Sequence, residues 1–258
     1  MNFKLVLGVV VGLTAAQLFS GPGVAQEKPA KKLELKSVKD RAAYAIGANS
    51  AGSIRRVNEG QSLGLDTELI MRGFRDGLGS GKLAIPDEEL EDALQKLQDE
   101  VGARNAKAGE AFLAANKGKP GVKSLESGMQ VKVLKKGTGK KPTINDTVVV
   151  HYRGKRLDGK EFESSYTANE PATMPVARAL PGWSEALQMM EVGSKWELYL
   201  PPDLAFGPQS GEKFGPNSTL IFELELVDIA KGNPALGPGG DALPPKGKPA
   251  GKPEELDN

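Results

Sequence analysis

The amino-terminal part of the chain carries apolar residues at the spacing of amphipathic α-helices, from residue 37 to about residue 116. Ser37-Val38-Lys39-Asp40 resembles a capping box, with Asp where Glu is usual at the third helical position. Asp66 is placed to cap a second helix. The apolar residues of that helix recur at i, i+4 and i+8, as Ile70, Phe74 and Leu78. The pattern predicts two helices, the second of which ends at Gly79-Ser80-Gly81.

A third helix is predicted from Pro86, where proline and acidic residues favour a helix start, to Asn116. Gly102 and Gly109 lower its helix propensity, so a kink is the alternative to a straight helix. Its apolar residues have the 4-3-4 spacing of a coiled-coil seam: Leu90, Leu94, Leu97 and Val101. This narrow stripe needs a partner surface. The region is therefore either an α-helical spacer or a dimerisation module in which the helices of two chains interlock.

From Gly118 the pattern changes to the alternation of β-strands. A single short helix, from Trp183 to Met190, fits between the strands. The predicted strands are 130–134, 147–153, 195–200 and 219–227. We therefore expect an antiparallel sheet with one helix packed against it, which is an α+β layer.

The two ends of the chain differ from the rest. An apolar run of 15 residues follows Lys4 and precedes small residues at 23–25, which predicts an export signal at residues 1–25. A membrane anchor is the alternative, although a span needs about 20 residues. Residues 231–258 contain six Gly and six Pro, which predicts a disordered tail; Pro-rich ligand motifs are the alternative. The predicted domains between them are 33–118 (helical) and 121–230 (β-rich).

Composition narrows the chemistry. The 258 residues include 34 Lys plus Arg and 33 Asp plus Glu, which gives no long-range field toward nucleic acid or an anionic membrane. There is no Cys and only one His, so thiolate or His-rich metal sites and a Cys nucleophile are excluded. That residue, His151, lies beside Tyr152 in a predicted strand and is interpreted as a packed or edge histidine, since no second His can help it bind a metal ion.

Aromatic residues carry the strongest functional signal. Of the 14 aromatic residues, nine lie between Tyr152 and Phe222. Core packing explains Trp196 and Tyr199 adequately. Phe206 and Phe214, however, lie in a stretch rich in Gly and Pro, and aromatic residues on a loop over a rigid sheet often line a cleft.

Several blocks of residues between 121 and 229 then occur in a recognisable order. They are Tyr152, LDGKEFESSY at 157–166, LPGW at 180–183, PDLAFG at 202–207 and PNSTLIF at 216–222. In this order they resemble an FKBP-type peptidyl-prolyl cis–trans isomerase domain. The preceding region is similar to the amino-terminal dimerisation domain of the Mip-type branch (macrophage infectivity potentiator). That similarity rests on Asp40 with YAIG at 44–47, GFRD at 73–76, FLAAN at 112–116 and GVK at 121–123.

The resemblance implies a half-barrel of antiparallel strands wrapped on one helix, with the active cleft between sheet and helix. Trp183 would form the cleft floor against the substrate proline. The implied catalytic residues are Tyr152, Phe162, Glu163, Trp183, Phe206 and Phe222. The implied substrate-binding residues are Leu180 in the wall, Met174 and Ala179 at the edge, and Phe214 on a flap. No cofactor or metal is implied.

Three positions depart from the family pattern. Glu163 stands where the family usually has Asp, and Phe206 stands where it usually has Tyr. Ala179 is smaller than the usual branched residue. The first change lengthens an acid that would face the twisting amide, and the second removes a hydroxyl that would donate to the substrate carbonyl.

The expected activity follows from the resemblance and from the chemistry of the amide, whose rotation barrier is about 18–20 kcal/mol. An apolar cleft disfavours the planar, more polar ground state relative to the twisted state. The expected partners are proline-containing unfolded or exported polypeptides, a second copy of the chain, and macrolide ligands, with no nucleic acid and no membrane after signal cleavage. The expected location is the periplasm or cell envelope, with secretion as an alternative. A non-enzymatic chaperone (holdase) that uses the same cleft and the helical arms is the alternative function.

Overall fold

A computed structural model describes residues 33–79, 83–209 and 211–230. The predicted export signal at 1–25 and the predicted tail at 231–258 lie outside the described residues. The chain divides into two compact units, of which one ends at Ile46 and the other begins at Gly47. Within the described ranges, no helix combines the length and the apolar character that a bilayer span requires.

Three helices form the amino-terminal part, and they begin where the sequence predicts. They are α1 (Val38–Gly60), α2 (Thr67–Leu78) and α3 (Asp87–Asn116). The capping box is confirmed, because the Ser37 N–H donates to Asp40 Oδ2 at 2.8 Å and the Asp40 N–H donates to Ser37 Oγ at 3.0 Å. Asp66 caps α2 by accepting from the N–H groups of Glu68 and Leu69. Helix α3 runs for 30 residues without interruption, through both Gly102 and Gly109.

The remainder is an antiparallel sheet with one longer helix, α4 (Pro181–Met189), so the predicted α+β class is confirmed. The strands are β1 (Val122–Ser124), β2 (Gln130–Lys135), β3 (Thr147–Lys155), β4 (Glu161–Ser164), β5 (Ala172–Pro175), β6 (Lys195–Leu200) and β7 (Leu220–Ile229). Their order is β1-β2-β6-β7-β3-β4, and β5 pairs with β3. The sequence pattern did not predict β1, β4 or β5, which are only three or four residues long.

The core lies between the sheet and α4. Trp183, Ala186 and Leu187 of α4 are fully buried against strand residues that include Leu198 and Leu224. Gly182 permits this close approach, since a Cβ at that position would come within 2.5 Å of Leu200 Cδ2. The first turn of α4 is thereby held close to β6, which fixes Trp183 over the sheet.

The carboxyl-terminal end of α3 packs on this sheet. The Asn116 amide donates to Gln130 Oε1 at 2.9 Å, and both residues are buried. The Phe112 and Tyr199 rings lie 5.9 Å apart between their centroids. Helix α3 therefore covers Gln130 of β2 and Tyr199 of β6.

Candidate active site

Six aromatic residues form a continuous group of contacting rings, hereafter the aromatic cluster. In order of contact they are Tyr152, Trp183, Phe222, Phe162, Phe214 and Phe206. Neighbouring ring centroids lie 4.7–5.7 Å apart, and the contacts with Trp183 are edge-to-face. The structure thus brings together every aromatic residue that the sequence predicted for the site.

Strand pairing places the rings of the cluster. Tyr152 lies on β3, Phe162 on β4 and Phe222 on β7, and both outer strands pair with β3. Gly154 lies opposite Phe222 in this register. A Cβ on Gly154 would come within 2.6 Å of the Phe162 ring and 2.9 Å of the Phe222 ring. Only glycine leaves room for both rings above β3, a requirement that the sequence pattern did not reveal.

The polar group at the site is the pair Tyr152–Glu163. The Tyr152 hydroxyl donates to Glu163 Oε1 at 2.9 Å. Burial raises the pKa of the half-buried Tyr152, and the charge of Glu163 and this hydrogen bond act in the same direction. Tyr152 therefore remains a neutral hydrogen-bond donor at physiological pH. The extra methylene of Glu163 is accommodated with its carboxylate directed at Tyr152.

The remaining predicted residues are buried in the core or packed against it. Met174 on β5 is buried, and Ala179 and Leu180 are partly buried against the core, directly before α4 begins. Phe206 and Phe214 lie on irregular segments and are half-buried. Their ring centroids are 4.7 Å apart, so Phe206 packs on Phe214 without offering a donor group.

Access to the cluster is restricted in this conformation. Trp183 and Phe222 have none of their surface exposed. A substrate proline that contacts Trp183 therefore requires a movement of the residues around it. The half-buried loop residues of the aromatic cluster are Phe206 and Phe214, and Phe214 belongs to the segment 211–219, hereafter the flap.

Lys213 contacts the aromatic cluster, and the sequence did not predict this contact. Its Nζ donates to the carbonyl oxygen of Phe162 at 2.6 Å. This bond ties the flap to β4 across 51 residues of sequence. No local pattern marks such a contact, because Lys213 is surrounded in the sequence by ordinary loop residues.

His151 is a packed histidine, as predicted. Its Nδ1 lies 3.0 Å from Ser165 Oγ, and its ring stacks on Tyr166 with centroids 4.7 Å apart. Across residues 33–79, 83–209 and 211–230, no three His, Cys, Asp or Glu side chains are grouped closely enough to bind a metal ion.

Comparison with known protein families agrees with the fold. Residues 138–227 match the model of the FKBP-type peptidyl-prolyl cis-trans isomerase family, and residues 39–133 match that of the domain amino terminal to FKBP-type peptidyl-prolyl isomerase. The chain belongs to the family of FKBP-type peptidyl-prolyl cis–trans isomerases. The sequence resemblance to this family is therefore confirmed.

Relatives with similar sequences extend over nearly the same length. The outer membrane protein MIP of Legionella longbeachae is 37% identical over 243 residues, which is 90% of this chain and 99% of that protein. The FKBP-type isomerase FkpA of Aeromonas hydrophila is 41% identical over 220 residues, 79% of this chain and 82% of that protein. The crystal structure of FkpA from Escherichia coli is 33% identical in sequence. Its alignment with this chain spans 76% of this chain and 98% of FkpA, with a TM-score of 0.49.

Proposed function

We propose that this chain isomerises Xaa-Pro bonds in exported polypeptides and that the aromatic cluster is its catalytic cleft. The observation that carries the proposal is the continuous contact of six aromatic rings around Trp183. Such a surface suits the flat, apolar proline ring and excludes water from the amide beside it.

Desolvation of the Xaa-Pro amide is the proposed source of the rate acceleration. Rotation about the amide breaks its resonance and reduces the charge separation across O–C–N, so the planar ground state loses more on leaving water than the twisted state does. Trp183, Phe162 and Phe222 would supply the water-poor surface. This reaction moves no proton and breaks no covalent bond, so it needs neither a nucleophile nor a general base.

Tyr152 and Glu163 would orient the substrate. The Tyr152 hydroxyl is fixed by its bond to Glu163 Oε1, and its raised pKa keeps it protonated. Glu163 acts through Tyr152, because the prolyl nitrogen has no N–H that a carboxylate could accept from. Phe206 contributes apolar surface alone, so we expect lower activity than a tyrosine at this position would give.

A short Xaa-Pro peptide tests this function. Exchange between its cis and trans forms, followed by NMR, should accelerate on addition of the chain and return to the uncatalysed rate with Trp183→Ala. Suppressed aggregation of a proline-free client with unchanged peptide exchange would instead support a holdase. A macrolide that occupies the same cleft should inhibit the exchange.

We further propose that the chain is a homodimer built by residues 33–118. Helices α1 and α2 contain no buried residue among those described. Large apolar side chains on the three helices are open to solvent, with exposed fractions of 74% for Val38, 84% for Leu78 and 65% for Leu94. Burying such side chains against a second copy would remove this apolar surface from water. Light scattering should give twice the chain mass, and a monomer at high micromolar concentration would contradict the proposal.

Export to the periplasm or envelope is also proposed, and it is supported by the signal-like residues 1–25. Amino-terminal sequencing of the expressed protein from a periplasmic fraction should begin at Gln26. An intact Met1 in a cytoplasmic fraction would contradict it.

A further inference from the structure

The flap is held by the end of α1 and the residues that follow it. Arg56 Nε and Glu212 Oε2 form an ion pair at 2.8 Å, and the Gln61 amide donates to the Gly211 carbonyl at 3.0 Å. Arg156 on the neighbouring loop donates to the carbonyl of Gly60. These bonds join residues that are 96 to 156 positions apart in the sequence, so only the fold brings them together.

Helix α3 holds the other end of the flap. The Asn105 amide donates to the Pro216 carbonyl at 2.9 Å and lies 3.3 Å from Ser218 Oγ. The two helices are also linked to each other, because Arg104 donates to the carbonyls of Gln61 and Ser62. The flap is thus bound at one end by Arg56 and Gln61 and at the other end by Asn105 of α3, and Arg104 links these two groups to each other.

Glycines bring α3 into direct contact with this end of the flap. A Cβ on Gly109 would collide with the Thr219 hydroxyl and lie 3.0 Å from Thr219 Cβ. A Cβ on Gly215 would lie 2.7 Å from Asn105 Nδ2 and 2.8 Å from a Val101 methyl group. The buried positions of α3 include Gly109. Gly109, which lowers the helix propensity of α3, therefore lies where α3 contacts the flap.

The contact combines a half-exposed ion pair with partly buried hydrogen bonds. The Arg56 and Glu212 side chains are each 50% exposed, the bonds from Gln61 and Asn105 to the flap are partly buried, and a cavity of about 150 Å³ lies among Gly60, Gln61, Asn105 and Ser218. Because solvent reaches the ion pair and the cavity leaves this side incompletely packed, the flap can open here at a lower free-energy cost than global unfolding. The flap carries Phe214, which touches Phe162 of the aromatic cluster, while Trp183 is fully covered.

We propose that Arg56, Gln61 and Asn105 are positioning residues of the prolyl site. They hold the flap closed over the aromatic cluster and so set the cost of admitting a prolyl segment. The apparent affinity of a peptide is proportional to the fraction of molecules in which the site is open. Weakening the contact therefore increases peptide affinity, whereas a purely structural role predicts no gain. This inference rests on the proposed function of the cluster.

Two variants of the full chain test the proposal, each with a matched control. Arg56→Glu removes the ion pair and places two acids together, and Arg72→Glu makes the same charge change in the exposed Arg72–Asp76 pair of α2. Gly109→Ala drives a Cβ into Thr219, and Gly73→Ala adds one where nothing lies within 4 Å. Both alanines raise helix propensity equally, so only the contact with the flap separates them.

The first measurement is hydrogen exchange of the backbone amides of the flap. We expect exchange to be about threefold faster in Arg56→Glu than in Arg72→Glu, in keeping with the strength of an exposed ion pair. Exchange should also be faster in Gly109→Ala than in Gly73→Ala, because the added Cβ clashes with Thr219. The double variant Arg56→Glu with Glu212→Arg should restore the slower exchange. Equal exchange in all variants overturns the proposal, whether or not the chain isomerises peptides.

The second measurement is the Kd of a short Xaa-Pro peptide, followed by tryptophan fluorescence. We expect Kd to fall about threefold in both test variants and to return in the charge-swapped variant. An unchanged or increased Kd, with the parent chain active, overturns the proposal alone. A parent chain that neither binds nor isomerises the peptide overturns the proposed function, and the exchange data then decide whether the helices hold the flap.

Discussion

The hydrogen bond between Tyr152 and Glu163 gives the most specific prediction about the candidate site. Tyr152 belongs to the aromatic cluster, and Glu163 stands where the family usually has Asp. Tyr152→Phe removes the hydroxyl that donates to Glu163 Oε1 at 2.9 Å and leaves the ring in contact with Trp183. A hydrogen bond to a charged group contributes about 1.5–3 kcal/mol when it is buried. Both side chains are only half-buried, so solvent offsets part of this, and we expect a loss of about 1 kcal/mol in the free energy of unfolding.

Urea unfolding at neutral pH measures this loss, which corresponds to a decrease of about 2–4 °C in Tm for a chain of this size. Tyr44→Phe is the matched control, since Tyr44 lies on α1 with 57% of its surface exposed. Glu163→Gln keeps an acceptor oxygen and should lose less than Tyr152→Phe. A double-mutant cycle between these two changes isolates the bond itself. No coupling in that cycle, or Tyr152→Phe as stable as the control, would refute the geometry described for the pair.

The same bond fixes the direction of a pH effect. The folded-state pKa of Tyr152 is raised by burial and by Glu163, so its contribution to stability is complete below the pKa of an unfolded tyrosine, about 10. It is lost as the pH rises through the folded-state pKa. The stability difference between the parent chain and Tyr152→Phe should therefore be constant from pH 7 to about 9.5 and decrease only at higher pH. A difference that disappears between pH 7 and 9 would contradict the raised pKa.

Four further changes have definite expected outcomes. Trp183→Ala should abolish most prolyl-peptide binding and cost about 3–5 kcal/mol of stability, measured by peptide titration and urea unfolding with circular dichroism as the check on folding. Phe206→Tyr should raise kcat/KM on an Xaa-Pro peptide about two- to tenfold, the value of one neutral hydrogen bond, and an unchanged kcat/KM would show that the ring only packs. Lys213→Met should speed amide exchange in the flap without unfolding the sheet, because it removes only the bond to the Phe162 carbonyl. The fragment 121–230 should be a folded monomer by circular dichroism and light scattering, although it loses the cover of α3 over Tyr199; an unfolded fragment would place the domain boundary elsewhere.

The long elements could be predicted from the sequence because their periodicity is extensive. Strand β7 is ten residues long, and its first seven residues alternate between buried and half-buried side chains as a strand with one face on the core requires. Strands β4 and β5 have four residues each, which is too short for alternation to be distinguished from a loop. Their pairing with β3 decides their conformation, and pairing is a property of the fold rather than of the segment.

The aromatic residues of the site were predictable, but their supports were not. The sequence shows a concentration of aromatic residues around Trp183, and the family resemblance implies a role for each of them in the cleft. The bond from Lys213 to Phe162 and the ion pair from Arg56 to Glu212 connect residues 51 and 156 positions apart, so no local pattern reveals them. Gly109 illustrates the difference: sequence reasoning identifies a weak point in a helix, whereas the structure places Thr219 against it.

The aromatic cleft around Trp183 is proposed to accelerate rotation of the prolyl amide without covalent or acid–base catalysis. This is tested most directly by kcat/KM for cis-to-trans exchange of one Xaa-Pro peptide, compared between the parent chain and Trp183→Ala. We expect the parent chain to catalyse the exchange at a rate independent of pH between about 6 and 9, because the rotation transfers no proton, and we expect near-complete loss of catalysis in the folded variant. Equal activity of a folded Trp183→Ala variant would show that the cluster is not the catalytic cleft.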